Sequence, residues 1–193
     1  LKKATRVPRP TTFFLGWDDG HLYLAYRTYL RPGYKPRVRG RGPTAALVSD
    51  DGAELVVKPM GKNVPVDNQR AAFKFFLNCL GFTGDLTKLD LGQQYKNWAP
   101  DFVTASRITE PGSAPDGGAW CEVEMSSTPA DFELTGPHRA GDEWRIMFGM
   151  NHMPMWLQVR IPALGSYFES SGAGYTHLTL VDNTPAMKFT MDS

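Results

Sequence analysis

The chain has 193 residues, 41% hydrophobic and 21% charged, which is enough for one domain with a sizeable core, and no run of eighteen apolar residues that would make a membrane-spanning helix. Nineteen glycines and fifteen prolines are too many for a helical bundle and suit short strands joined by turns. The net charge of +1 hides an asymmetry: residues 1–41 hold ten Lys or Arg against Asp18 and Asp19 alone, and the remainder holds eleven basic against eighteen acidic residues. A basic front of this kind faces an anionic partner, such as an acidic polysaccharide or nucleic acid, or simply solvent.

In chain order, residues 1–11 form a basic segment carrying Lys2, Lys3, Arg6 and Arg9. Phe13 to Trp17 and Leu22 to Arg27 flank Asp18-Asp19-Gly20-His21, and an Asp-Gly turn between apolar runs is a strong hairpin signal. In the second strand Leu22, Leu24 and Tyr26 share one face, which is expected to be buried, and Trp17 is expected to pack inside the fold. Residues 31–42, rich in Pro, Gly and Arg, read as an exposed loop with nothing to pack. The turn Asp50-Asp51-Gly52 leads into a strand over Ala53–Lys58.

The stretch from Ala71 to Leu80 fits both periods. Phe73, Phe75, Leu77 and Cys79 alternate as in a strand, while Ala72, Phe75, Phe76, Cys79 and Leu80 fit a helix. Further strands are predicted over 102–108, 120–125, 143–150 and 177–181, with a Pro- and Gly-rich turn at 111–118. Short strands without βα alternation predict an all-β, antiparallel β-sandwich, a single domain over residues 1–193. Cys79 and Cys121 are compatible with one disulfide or with two buried thiols. The chain opens at Leu1 without a leader pattern, so it is expected to be an interior piece of a larger precursor.

Six of these segments, in this order, resemble the carbohydrate-binding modules of family 9, a sandwich related to the DOMON domains. The hairpin from Trp17 to Arg27 resembles the family's W-D-x-x-x-L-Y strand pair, Asp51 to Val57 its D-x-v-E-i-f-i strand, and Phe75-Phe76-Leu77-Asn78 its F-x-v-N strand. Gly118 to Glu124, Trp144 to Asn151 and His177 to Leu180 resemble three later strands. The resemblance covers about Thr12 to Val181 and favours strand over helix for Ala71–Leu80. The family's opening strand has no counterpart before Thr11, so that strand is expected to be missing, replaced or donated by another part of the precursor, and an edge left open is expected to pair with another polypeptide.

The resemblance implies a sugar held between two Trp faces, with polar side chains reading its hydroxyls, an arrangement that follows from aromatic faces packing on C–H surfaces. It places Glu54 in contact with sugar. It also places Val48 where the first Trp stands, Phe76 where an Arg stands, Gly149 where a Gln stands before Asn151, and Tyr167-Phe168 near the second Trp. A carbohydrate site would therefore be rebuilt from Glu54, Asn151, Trp156, Tyr167, Phe168 and Tyr34. Arg37, Arg39 and Arg41 alternate on the basic loop and suit sulfate or carboxylate groups.

Other chemistry has less support. Glu122 and Glu124 are the closely spaced carboxylates, but alternate residues on a strand point in parallel instead of flanking a sugar about 5 to 9.5 Å apart as glycoside hydrolysis requires. Met150, His152, Met153, Met155 and His177 offer haem ligands of the kind some DOMON domains use. No phosphate loop, G-x-S-x-G, H-E-x-x-H or dinucleotide fingerprint is present. The expected function is a non-catalytic carbohydrate-binding module, without cofactor, in a secreted or cell-surface, glycoside-hydrolase-associated protein. Its expected partner is a glycan, with anionic glycans favoured over nucleic acid and no membrane. The alternative is an interaction sandwich that lost its sugar site and assembles through an open edge; haem binding is a minor third.

Overall fold

A computed structural model of the chain describes residues 10–41, 47, 49–62, 64–69, 71–90, 93–95, 98–152, 157–161, 176–179 and 187–191. Among these, twelve strands form two sheets whose pairs are all antiparallel. The hairpin read from the Asp-Gly turn is β1 (Thr11–Trp17) and β2 (Leu22–Leu30). The turn holds because the Asp18 carboxylate accepts the backbone N–H groups of Gly20 (2.8 Å) and His21 (2.7 Å) and the Tyr23 hydroxyl (2.8 Å). These bonds, the Tyr23 hydroxyl foremost, hold Asp18 below the usual carboxylate range.

After β3 (Gly52–Met60) come β4 (Ala72–Asn78), β5 (Thr83–Asp90), β6 (Gln93–Tyr95), β7 (Val103–Ile108) and β8 (Ala119–Ser127). The chain continues through β9 (Glu143–His152), β10 (Leu157–Ile161), β11 (Thr176–Thr179) and β12 (Met187–Met191). One sheet has the order β12-β1-β2-β8-β7; the other has the order β10-β9-β3-β4-β5-β6, with β11 also paired to β9. The ambiguous stretch is thus strand β4. Its Phe73, Phe75 and Leu77 enter the core between the sheets with Ala53, Leu55 and Val57 of β3. From the other sheet Phe13, Leu15, Leu22, Leu24, Tyr26, Val123 and Met125 meet them, and the Phe13 and Phe148 rings touch at 4.5 Å between centroids. Each such side chain, fully buried, stabilises the fold by about 1.5–3 kcal/mol.

An aromatic cluster of Trp98, Phe102 and Phe132 packs on Phe73, Phe75 and Trp144. The Trp98 indole N–H donates to the Asp131 carbonyl at 2.7 Å, so its one polar atom stays paired. Cys79 and Cys121 are free thiols, both fully buried. A hydrogen bond with Cys121, together with burial, raises the Cys79 thiol well above its usual pKa.

Three expectations change. Trp17 ends β1 half-buried, packed against the core without being enclosed, because a strand end at a turn is covered on one side only. The basic loop does pack: Tyr34 and Val38 lie partly buried against the core. The outer edge of β1 is not open. Residues Met187–Met191 of the same chain pair with it, Phe13 opposite Phe189, so the expected missing strand comes from the C-terminal part of this chain. The local pattern of Met187 to Met191 is five residues long and gave no strand reading in the sequence.

Candidate functional site

Period-two alternation sends Ala53, Leu55 and Val57 of β3 inward and Glu54, Val56 and Lys58 to the outer face of the seven-stranded sheet. The register then decides what stands beside Glu54. On β4 its partner is Phe76 and on β9 it is Gly149, so the three positions implied to read sugar form one row across three adjacent strands. The next row holds Asn78, Gly52 and Asn151. Glu54 and Asn151 therefore stand in adjacent rows on neighbouring strands.

The row is recessed. Glu54 is 5% exposed, Asn151 6% and Phe76 1%. The Lys74 ammonium lies 2.7 Å from the Glu54 carboxylate, which gives the buried charge a counter-ion instead of leaving it alone at the cost of several kcal/mol. Beside this pair Val56, Ala72, Leu89 and Met147 form a second, smaller apolar cluster on the same face. The Phe76 ring fills the place of a guanidinium in the family pattern, exchanging hydrogen-bond donors for apolar surface.

The basic loop reaches this end of the sheet and is fastened by the two aspartates of the Asp50-Asp51-Gly52 turn. The Asp51 carboxylate accepts the Tyr34 hydroxyl at 2.5 Å and the Arg37 backbone N–H at 2.7 Å. The Asp50 carboxylate accepts the backbone N–H groups of Arg39 (2.9 Å) and Gly40 (3.1 Å) and the Asn78 amide (3.2 Å). Both aspartates are buried, so these charge-assisted bonds replace lost water and fix the loop's course. Val38 lies partly buried against the core. Arg37 is half-buried, while Arg39 and Arg41 are exposed. Sequence reasoning missed Asp50, Asp51, Asn78 and Lys74. An Asp-Asp-Gly turn ahead of a strand was the available signal, and only its turn chemistry was read.

Trp156, Tyr167, Phe168 and Val48 lie outside the described residues. Of the haem candidates, Met150 is a fully buried core side chain, whereas Met153 and Met155 are outside the described residues and only the backbone of His152 and His177 is described. Among the described residues no group of three or more His, Cys, Asp or Glu could hold a metal ion, and no helix is long and apolar enough to cross a membrane. Glu122 and Glu124 project from the same side of β8 without facing each other. Glu122 is taken up by Arg27 at 3.1 Å and by Arg107, so it is a neutralised surface carboxylate.

No protein-family model matches the sequence, and no curated protein matches it significantly. Solved structures do match in fold. A Bacteroides uniformis protein provisionally assigned to carbohydrate binding superposes with a TM-score of 0.61 at 16% identity, over 88% of this chain and 77% of that one. A family 9 carbohydrate-binding module from Caldicellulosiruptor kristjanssonii, solved in complex with cellotriose, superposes with a TM-score of 0.52 at 14% identity, over 94% of this chain and 80% of that one. The chain thus has the sandwich fold of a family 9 module.

Proposed function

We propose that the protein is a non-catalytic carbohydrate-binding module of a larger secreted or cell-surface protein that acts on glycans. The carrying observation is the row Phe76–Glu54–Gly149 with Asn151 beside it, formed by the register of β3, β4 and β9 at the positions the family resemblance assigns to sugar contact. A carboxylate offers about four acceptor sites, so Glu54 can take a lysine ammonium and a sugar hydroxyl together. The Asn151 amide can both donate and accept, which suits neighbouring hydroxyls. Trp156, Tyr167 and Phe168 supply the aromatic faces in this reading. Arg39 and Arg41, exposed on a loop fastened by Asp50 and Asp51, add donors for carboxylate or sulfate substituents. The fold shared with a module that holds cellotriose supports the same class of ligand.

Affinity electrophoresis through gels containing neutral, uronic-acid and sulfated polysaccharides tests this. Retention by at least one is expected, with Glu54→Gln weakening it about tenfold, the worth of one charge-assisted hydrogen bond. Retention by acidic polymers should fall with added salt, since exposed charges are screened within about 8–10 Å at physiological ionic strength. Migration unaffected by every polysaccharide would overturn the reading.

A further inference from the structure

The outer face of the five-stranded sheet carries a feature that the Glu54 row does not use. Register places its outward side chains in three rows that run across the strands. The first is Gly16, Tyr23, Ser126 and Val103; the second is Phe14, Ala25, Glu124 and Ala105; the third is Thr12, Arg27, Glu122 and Arg107. The middle row has alanines on β2 and β7, flanked by Tyr23 and Val103 on one side and by Arg27 and Arg107 on the other. Two hollows of about 410 Å³ and 460 Å³ result, one toward Arg27 and Arg107 and one toward Tyr23 and Val103. They share the middle row as their floor. The trough crosses β1, β2, β8 and β7, three interstrand steps of about 4.8 Å and so about 14 Å long.

Its chemistry is specific. Glu124 rises from the floor, exposed and without a hydrogen-bond or ion-pair partner among the described residues. An ionised carboxylate only accepts, so what it lacks is a donor. Along one wall Glu122 holds both guanidiniums in place, and Arg27 is further fixed over the Trp120 ring at 4.4 Å. The other wall has Tyr23, whose ring is held by its bond to Asp18 and its stacking on His21. Phe14 closes the β1 end with a half-buried apolar face. The four charged side chains Arg27, Arg107, Glu122 and Glu124 sum to zero, and the one left unpaired is negative.

We infer that this trough is a second binding site, for an extended neutral polysaccharide chain. The inference rests on the carbohydrate-binding reading and extends it to a different ligand and a different face. A neutral glycan offers hydroxyl donors to Glu124, acceptors to the fixed guanidiniums and C–H faces to Phe14 and Tyr23. A sulfated or uronic-acid chain would bring its charge against the unpaired Glu124. A peptide running across the strands could not add as a further strand there, because the N–H and C=O groups of β1, β2 and β8 are already paired within the sheet. A trough spanning four strands fits several sugar rings in a row, so affinity rises with chain length, unlike a pocket for one terminal sugar.

Titration of the 193-residue chain with soluble neutral β-glucan and its oligosaccharides of increasing length tests this, using Glu124→Gln and Ala105→Trp. Ala105 is exposed on an edge strand, so the indole fills the trough without entering the core. Tighter binding to longer chains is expected, with each variant weakening the longest about tenfold, the equivalent of one charge-assisted hydrogen bond. Glu54→Gln should leave that length dependence in place. If both trough variants bind within about twofold of wild type while Glu54→Gln abolishes binding, the trough is refuted and the carbohydrate reading stands. Binding of anionic polymers alone refutes the trough as well, and binding of no polysaccharide refutes both. Self-association that Ala105→Trp disrupts, with glucan binding unaffected, would make the face a protein interface and overturn the inference.

Discussion

His138 is 1% exposed, with its ring edge-on to Trp144 at 5.5 Å, and neither ring nitrogen has a hydrogen-bond partner among the described residues. Burial lowers its pKa from the ordinary 6.5, against the opposing pull of the Asp142 and Asp18 carboxylates. Above pH 6.5 the ring is neutral in both folded and unfolded chains and costs nothing in linkage terms. As pH falls below that value the unfolded chain takes up a proton that the folded chain refuses, so stability declines until the depressed folded pKa is reached. Urea midpoints measured between about pH 5 and pH 8 should therefore drop on the acid side, and His138→Phe should flatten that part of the profile. Identical profiles for the two proteins would refute the assignment. The same scale shows what a sequence conceals. Glu54 was identifiable from its motif, but its Lys74 counter-ion and the Asp50–Asn78 bond depend on a strand register that no local pattern encodes.

At the scale of elements, the register of β3 against β4 rests on a close approach at Gly52. A Cβ there would stand 2.5 Å from the Leu77 carbonyl oxygen, 2.6 Å from the Asn78 Cα and 2.7 Å from the Phe76 ring. Two of these are backbone, so the strands themselves would have to part. Gly52→Ala is expected to cost about 1–3 kcal/mol, the range for overpacking, whereas Gly136→Ala, with nothing within 4 Å, should change the melting temperature little. Equal melting of the two variants would show that the approach is looser than described. The hairpin β1–β2 was legible because turn chemistry and alternation agree there. The stretch from Ala71 to Leu80 was not, because Phe75 and Phe76 are both fully buried, one inward and one on the outer face, which blurs the alternation that would separate strand from helix. β5 was missed because Leu86 and Leu89 are its only large apolar residues, and β12 because its alternation of Met187, Phe189 and Met191 with Lys188 and Thr190 spans only five residues.

Across the whole molecule, the five-stranded sheet is completed by non-local pairing: β12 joins β1, which lies more than 170 residues earlier in the chain. This contact covers the β1 edge and makes β12 the outermost strand at that end of the sheet. At the other end of the sheet β7 remains an edge strand, with Val103 70% and Ile108 46% exposed. An unpaired edge next to apolar side chains templates pairing with other chains, and here the molecule supplies its own strand at β1. Deleting residues 187–193 would return that edge to solvent, losing the ladder bonds of a five-residue strand at about 1 kcal/mol each. The shortened chain should melt at a lower temperature and self-associate as its concentration rises, measured by thermal denaturation and by size-exclusion chromatography with light scattering. Phe189→Pro provides a gentler version: it removes a backbone donor opposite Phe13 while keeping the chain length, so it should show the same behaviour to a smaller degree. A truncated chain that stays monomeric across that range and melts with the wild type would mean that β12 does not hold the edge closed.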